Sequence, residues 1–294
     1  MFSGSIVALV TPMGVDGSID EPAWHRLIDW HLASGTDGVV VGGTTGESAT
    51  LLESEFSRLL ELTVNRVGGR MNVLAGTGTS STAETIRRSQ LAGTLGADAA
   101  LVVTPAYNRP TQRGLEAHFN AVADASPLPV VLYNVPTRTA CDLLPETTIR
   151  LIEHANIVAI KEAVGDSSRV GALLDAGVAV LSGDDPTCCE RMLEGAAGVV
   201  SVTANVAPAV IAELCRLAAD KETGEARRIN AQLVDLYAFL GVEPNPVPVK
   251  WLLHRMGRIE SGIRLPLVML DERYRPQADD LINALELDVA RELA

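Results

Sequence analysis

The feature that most restricts the fold of this chain is a repeated alternation of short apolar runs with amphipathic segments. The runs are rich in valine, isoleucine and leucine and cover residues 5–10, 38–41, 72–75, 99–103, 130–133, 157–160, 178–181 and 199–202. Segments with helical spacing of apolar residues lie between them, as at 21–33, 54–67, 82–95, 113–123 and 145–154. Eight strands that are each followed by a helix predict an α/β fold, a (β/α)8 TIM barrel.

A doubly wound open sheet is the structural alternative. Such a sheet usually carries a glycine-rich dinucleotide fingerprint after its first strand. Here the first run ends in Thr11-Pro12-Met13, so the barrel is favoured.

The pattern changes beyond residue 219. Helical stretches around 224–240, 247–256 and 277–293 follow with no further strand between them. We predict a barrel over residues 1–220 and a C-terminal helical appendage over 221–294 in the same globular unit. The appendage would cover the barrel or build an oligomer contact.

Composition excludes several classes of function. The formal net charge is −13, and no Lys/Arg cluster could displace phosphate counterions, so nucleic-acid binding is not predicted. No stretch approaches about 18 uninterrupted apolar residues, and the first residues do not resemble a secretory signal, so neither a membrane span nor export is expected. The cysteines lack CxxC spacing and the histidines lack the spacing of a metal site. We expect a cytoplasmic protein without a metal or other cofactor.

Lys161 is the first candidate for chemistry, because active sites of such barrels lie at the carboxyl ends of the strands. The chain has only three lysines: Lys161, Lys221 and Lys250. Lys221 lies in a charged loop and Lys250 follows a proline-rich segment, so we expect both to be solvated. Lys161 ends a buried run, where the neutral amine is favoured as a nucleophile for a carbonyl carbon. The alternative is a lysine that extends to solvent or pairs with Glu162.

Three further segments follow strands. Residues 42–47 read GGTTGE, and their backbone N–H groups and threonine hydroxyls could bind a small carboxylate, unless the glycines serve only a tight turn. Tyr133 ends the fifth run and could relay protons, and Arg138 offers a planar fork for a carboxylate, although a lone arginine is more often simply exposed. Tyr107 lies in a proline-bracketed loop and could equally be a packing residue or a subunit contact.

Together these segments resemble the dihydrodipicolinate synthase family, of the superfamily that includes N-acetylneuraminate lyase. The matching motifs are GSIVALVTP at 4–12, GTTGESATL at 43–51, YNVP at 133–136 followed by Arg138-Thr139, IKEA at 160–163, LSGDD at 181–185, GVVSVTAN at 198–205 and VEPNPVPVK at 242–250. The resemblance covers nearly the full length of the chain.

The resemblance implies that Lys161 forms an imine with pyruvate and that the enamine attacks aspartate 4-semialdehyde, in lysine and diaminopimelate synthesis. It assigns a proton relay to Tyr133, Thr44 and Tyr107, with Tyr107 supplied by a neighbouring subunit of a homotetramer built from two dimers. It further implies a set of substrate contacts. These are Thr45 for the pyruvate carboxylate, Arg138 for the carboxylate of the aldehyde, and the backbone at Gly183 and Val200.

One departure from the family concerns regulation by lysine. Members inhibited by lysine carry histidines in the helix after residues 50–51, an asparagine before the third helix and a tyrosine before the relay tyrosine. This chain has Glu53, Phe56, Ser80 and Ala106 at those places, while Ser48, Ala49 and Glu84 match. We therefore predict weak or absent inhibition by lysine.

Two other functions are compatible with these residues. One is another pyruvate-dependent aldolase on the same fold, acting on sialic acid or keto-deoxy sugar acids. Arg138 and the triplet 161–163 argue against this function. The other is a non-catalytic barrel that binds a small carboxylate. A non-catalytic descendant is expected to lose part of the relay, yet Lys161, Tyr133, Thr44 and Tyr107 are all present.

Overall fold

The strands form a closed parallel barrel in sequence order, with β1 paired to β8. The computed structural model describes residues 2–287. The strands are β1 Gly4–Ala8, β2 Gly38–Val41, β3 Asn72–Gly76, β4 Ala99–Val103, β5 Val130–Asn134, β6 Ile157–Glu162, β7 Val180–Ser182 and β8 Gly198–Ser201. The predicted (β/α)8 barrel is confirmed, and β6 extends past the predicted run so that Lys161 lies within it.

Helices surround the barrel and continue beyond it. They are α1 Glu21–Ala33, α2 Glu53–Val67, α3 Thr82–Thr94, α4 Gln112–Ala125, α5 Pro136–Thr139, α6 Pro145–Leu151, α7 Ser167–Asp175, α8 Asp185–Glu194, α9 Pro208–Ala219, α10 Thr223–Gln232, α11 Val234–Leu240, α12 Val247–Arg255 and α13 Arg275–Ala284. The segment predicted as one helix over 224–240 is two, because α10 and α11 meet at Leu233. Part of the predicted stretch 277–293 lies outside the described residues.

The alternation of side chains along each strand separates two apolar clusters. One fills the barrel interior with small and aliphatic residues, among them Ile6, Val40, Leu74, Leu101 and Val131. The other packs the outer faces of the strands against the helices. A filled interior leaves open space only at the barrel ends, so the strand ends are where a ligand can be held.

The segments on either side of α12 fold back over the carboxyl end of the barrel. The Asn245 side-chain amide donates to Thr45 Oγ1 at 2.9 Å, and Arg138 donates to the Asn245 carbonyl oxygen at 3.2 Å. Arg264 donates to Glu55 and to the Thr50 carbonyl oxygen at 2.8 Å. The C-terminal helices therefore form part of the wall around the strand ends.

The prediction that Lys250 is solvated is wrong. The residue is 1% exposed, and its ammonium contacts a carboxylate oxygen of Glu47 at 2.5 Å. Lys250 begins the second turn of α12, and that helix lies against the barrel, which removes the side chain from water. Among residues 2–287, no helix is both long enough and apolar enough to cross a membrane.

Candidate active site

A cavity of about 320 Å³ opens at the carboxyl ends of the strands. Six of the eight residues predicted for the site line it: Thr44, Thr45, Tyr133, Arg138, Lys161 and Gly183. Its volume is at the lower end of the range for small-molecule sites, which suits a ligand of few atoms.

Lys161 and Tyr133 face each other inside the barrel mouth. The two residues are paired in register between β5 and β6, so their side chains leave the sheet on the same face. Lys161 is 6% exposed, and its ammonium nitrogen lies 4.3 Å from the centroid of the Tyr133 ring. A nearly buried amine beside a phenol is an arrangement suited to covalent catalysis at a carbonyl.

The residues next in sequence to this pair anchor the two strands from the outer face. The Asn134 side-chain amide donates to Glu162 at 3.0 Å, and Arg169 donates to the other Glu162 oxygen at 2.8 Å. Burial raises the pKa of Glu162, and the charge of Arg169 opposes that shift. Glu162 thus belongs to a network on the opposite face from Lys161, and the alternative that it pairs with Lys161 is not supported.

The turn that follows β2 brings Thr44 and Thr45 to the cavity. Gly42 has a φ of 64°, and a Cβ at that position would lie 2.6 Å from the ring of Phe56. Only glycine satisfies both the left-handed backbone and this close approach. Thr45 is 2% exposed, so its hydroxyl is held beneath the opening. The glycines therefore set the path that places two hydroxyls at the site.

Arg138 lies at the rim of the cavity. It is on the short helix α5, where Pro136 is the first residue. Its side chain is exposed, and one guanidinium nitrogen donates to the Asn245 carbonyl oxygen at 3.2 Å. Among residues 2–287 no partner is seen for its other donors, which can therefore meet an anion that enters the cavity.

Two of the predicted site residues do not line the cavity of this chain. Tyr107 is 94% exposed in a loop where its own φ is 71°. Val200 is buried inside β8, and Val202 lines the cavity instead.

Four lining residues from the C-terminal part were not predicted from the sequence: Tyr237, Leu240, Gly241 and Asn245. Asn245 occurs in one of the quoted motifs, but no local pattern connects it to Thr45, 200 positions away in the chain. The Tyr237 hydroxyl donates to Asn230 at 3.0 Å.

A TIM barrel with a nearly buried lysine at the carboxyl end of β6 is an arrangement typical of lyases that form a Schiff base with their substrate. Residues 1–285 match the model of the dihydrodipicolinate synthetase family. The chain belongs to that family and is an enzyme.

Individual relatives agree with this assignment. The chain is 50% identical over 290 residues to the 4-hydroxy-tetrahydrodipicolinate synthase of Saccharophagus degradans, covering 98% of this chain and 100% of the relative. A crystal structure of the chloride-inhibited dihydrodipicolinate synthase from Acinetobacter baumannii, complexed with pyruvate, superposes with a TM-score of 0.96 at 46% identity, covering 98% and 100% of the two chains. A monomeric dihydrodipicolinate synthase variant superposes with a TM-score of 0.95 at 37% identity and 97% coverage of each chain.

Proposed function

We propose that this chain condenses pyruvate with L-aspartate 4-semialdehyde to give 4-hydroxy-tetrahydrodipicolinate, in lysine and diaminopimelate biosynthesis, with Lys161 as the nucleophile. The observation that carries the assignment of Lys161 is its position in β6, nearly buried and directed into the cavity beside Tyr133. Of the three lysines, it alone lines this cavity within the described part of the chain.

The chemistry follows from an amine held at a carbonyl. The Lys161 nitrogen adds to the pyruvate keto carbon, and loss of water leaves an imine. The protonated imine accepts electron density, so the methyl group loses a proton and becomes an enamine carbon. That carbon attacks the aldehyde of the second substrate and forms the new carbon–carbon bond. The substrate's amino group then adds to the imine carbon, closes the ring and releases Lys161.

Thr44, Tyr133 and Tyr107 form the proton relay in this proposal. Support comes from the position of Tyr133 next to the Lys161 amine and of Thr44 on the cavity wall. Tyr107 reaches the relay from a neighbouring subunit, and its 94% exposure in the single chain is what a residue donated to another copy requires.

The carboxylates of the two substrates have separate partners. Thr45 binds the pyruvate carboxylate with backbone groups of the 43–47 turn, and the backbone at Gly183 and Val200 completes the pocket. Arg138 receives the carboxylate of aspartate 4-semialdehyde at the rim. A local guanidinium and converging N–H groups bind anions even though the net charge of the chain is −13.

The proposed assembly is a homotetramer made of two dimers, in the cytoplasm. Residues 1–220 act as the barrel and 221–294 as its appendage in one globular unit, of which residue 1 and residues 288–294 lie outside the described part. The hydrogen bonds from Asn245 to Thr45 and from Arg138 to Asn245 support a single unit.

Borohydride trapping separates the enzyme from a non-catalytic carboxylate-binding barrel. The protein is incubated with pyruvate, reduced and digested, and the peptides are analysed by mass spectrometry. We expect a reduced pyruvate adduct on Lys161 and none on Lys221 or Lys250. A folded protein that binds pyruvate without any adduct would favour the binding barrel.

Gly183→Ala is expected to slow adduct formation about 100-fold, because a displacement near 1 Å at a reacting group can cost that much. An added Cβ would lie 2.9 Å from Lys161 Cε, 3.1 Å from Lys161 Cγ and 3.0 Å from Ala163 Cβ. The side chain of Lys161 must therefore move. The rate of borohydride-trapped adduct formation measures the effect.

Gly171→Ala is the matched control, because nothing lies within 4 Å of a Cβ added in the middle of α7. Its adduct rate should equal that of the wild type. An unchanged rate in Gly183→Ala would contradict the proposed placement of Lys161.

L-Lysine is expected to inhibit weakly or not at all. Glu53 and Glu84 are both paired with Arg87, so the ligand's ammonium group would have to compete with that guanidinium for either carboxylate. Phe56 is 1% exposed and belongs to the core, and the Ser80 hydroxyl donates to the Ala106 carbonyl oxygen at 2.8 Å. Initial rates measured against L-lysine, with D-lysine as the control, test this. Specific inhibition at micromolar L-lysine would contradict it.

A further inference from the structure

A buried ion pair lies behind the turn that carries Thr44 and Thr45. The side chains of Glu47 and Lys250 are each 1% exposed, and their charged atoms are 2.5 Å apart. The second carboxylate oxygen of Glu47 accepts a hydrogen bond from the backbone N–H of Arg264 at 3.1 Å. Neither Glu47 nor Lys250 lines the cavity. The pair therefore acts on the site only through the residues around it.

The energetics of burial do not by themselves explain such a pair. Removing two charges from water costs several kcal/mol per ion, and well-packed apolar residues of similar volume often replace a buried pair without loss of stability. Burial lowers the pKa of Lys250, while the charge of Glu47 opposes that shift. Net stability therefore does not by itself account for the pair, and the geometry that it imposes on its neighbours is the more informative property.

The backbone of Glu47 shows what that geometry is. Its φ is 58°, a left-handed conformation that costs energy for any residue except glycine. In this conformation its N–H donates to the Thr44 carbonyl oxygen at 3.1 Å, and its own carbonyl oxygen accepts from the Thr50 N–H at 3.0 Å. The ion pair thus holds a strained residue whose backbone is bonded directly to Thr44.

The same C-terminal segment contacts the turn at a second point. Asn245 precedes α12, which carries Lys250, and its amide donates to Thr45 Oγ1 at 2.9 Å. Residues 245–250 therefore contact the turn on its cavity side through Asn245 and behind it through Lys250. Both contacts join parts of the chain that are at least 200 residues apart.

We infer that Glu47 and Lys250 are positioning residues, which set the turn so that Thr44 and Thr45 meet the carboxylate of pyruvate. Through them the C-terminal appendage determines the affinity for the first substrate. The inference rests on the proposed function, since it assigns the pyruvate carboxylate to this turn.

Lys250→Met tests the inference. Lys221→Met is the matched control, because it removes the same charge from an exposed position. Adduct formation is measured by borohydride trapping over a range of pyruvate concentrations. We expect the half-saturating pyruvate concentration of Lys250→Met to rise about tenfold, the change that a misplaced binding turn can produce. Saturating pyruvate should restore most of the adduct. The KM for aspartate 4-semialdehyde should change less than about threefold, because Arg138 lies on α5 and contacts the 245–250 segment only through the Asn245 carbonyl oxygen.

A second comparison asks whether the effect passes through Thr45. On a Thr45→Ala background, Lys250→Met should raise the half-saturating concentration less than about twofold further, since coupled positions are not additive. A further tenfold increase in the half-saturating pyruvate concentration would mean that Lys250 does not act through Thr45, and the inference would be wrong on that point.

The results that would contradict the inference can be told apart from those that would contradict the proposed function. If the wild type forms the adduct and Lys250→Met has a lower melting temperature but wild-type pyruvate saturation, the pair is only structural and the inference is wrong. If Lys250→Met does not fold, Glu47→Gln, which keeps the size of the side chain, is measured in the same way. Wild-type pyruvate saturation in Glu47→Gln would contradict the inference as well. If the wild type itself forms no adduct, the proposed function fails, and the inference fails with it.

Discussion

Replacing Lys161 by alanine is expected to reduce turnover of pyruvate and aspartate 4-semialdehyde by about a thousandfold or more, because no covalent intermediate can form. Neither of the other two lysines can substitute. Lys250 is paired with Glu47 at 2.5 Å outside the cavity, and Lys221 lies in the loop after α9. Steady-state rates coupled to the next reductase measure the loss, and borohydride trapping should yield no adduct.

Lys221→Ala is the control for this experiment, because it removes the same side chain from an exposed position. Its rate should match that of the wild type, and both variants should retain the wild-type circular dichroism spectrum. Residual turnover above about a tenth of the wild-type rate in Lys161→Ala would show that the imine is not required.

Tyr133→Phe is expected to lower kcat by roughly 100-fold or more, the usual range for loss of a positioned proton donor. The substitution keeps the ring, whose centroid lies 4.3 Å from the Lys161 nitrogen, and removes only the hydroxyl. Trapped adduct should still accumulate, more slowly, since the nucleophile remains. Stopped-flow measurement of adduct formation together with kcat separates the two effects.

Tyr237→Phe provides the matched comparison. Tyr237 also lines the cavity, but its hydroxyl is already bonded to Asn230 at 3.0 Å. We expect its kcat to fall less than about fivefold. Equal losses in the two variants would mean that the Tyr133 hydroxyl has no role beyond that of the Tyr237 hydroxyl, and the relay would have to be reassigned.

The fold and the centre of the site were predictable from local patterns. Strands of a closed parallel barrel end at the same rim, so a lysine and a tyrosine at the carboxyl ends of neighbouring strands were expected to lie close together. The exact register of Tyr133 with Lys161 depends on a shift in the strand pairing between Val130 and Val131, which no local pattern predicts. The glycines of the 42–47 turn were also a clear signal in the sequence. Glycine is the usual residue where the backbone is left-handed or passes close to another group.

What could not be predicted depends on contacts between distant parts of the chain. Lys250 follows prolines and reads as a solvated residue, yet its partner Glu47 is 203 positions away. Asn245 carries no local signal for its bond to Thr45. The role proposed for Tyr107 is of a different kind, because it depends on a neighbouring subunit and not on a contact within this chain. Local periodicity contains none of these relations.

Turnover with a panel of aldehydes in the presence of pyruvate distinguishes the proposed synthase from other pyruvate-dependent aldolases on this fold. Aspartate 4-semialdehyde is compared with sugar aldehydes, which would give keto-deoxy sugar acids. The product is followed by coupling to the next reductase and by mass spectrometry. We predict rapid consumption of aspartate 4-semialdehyde, appearance of the heterocyclic product, and little reaction with the sugar aldehydes. A folded protein that forms the pyruvate adduct on Lys161 but turns over only sugar aldehydes would contradict the proposed function.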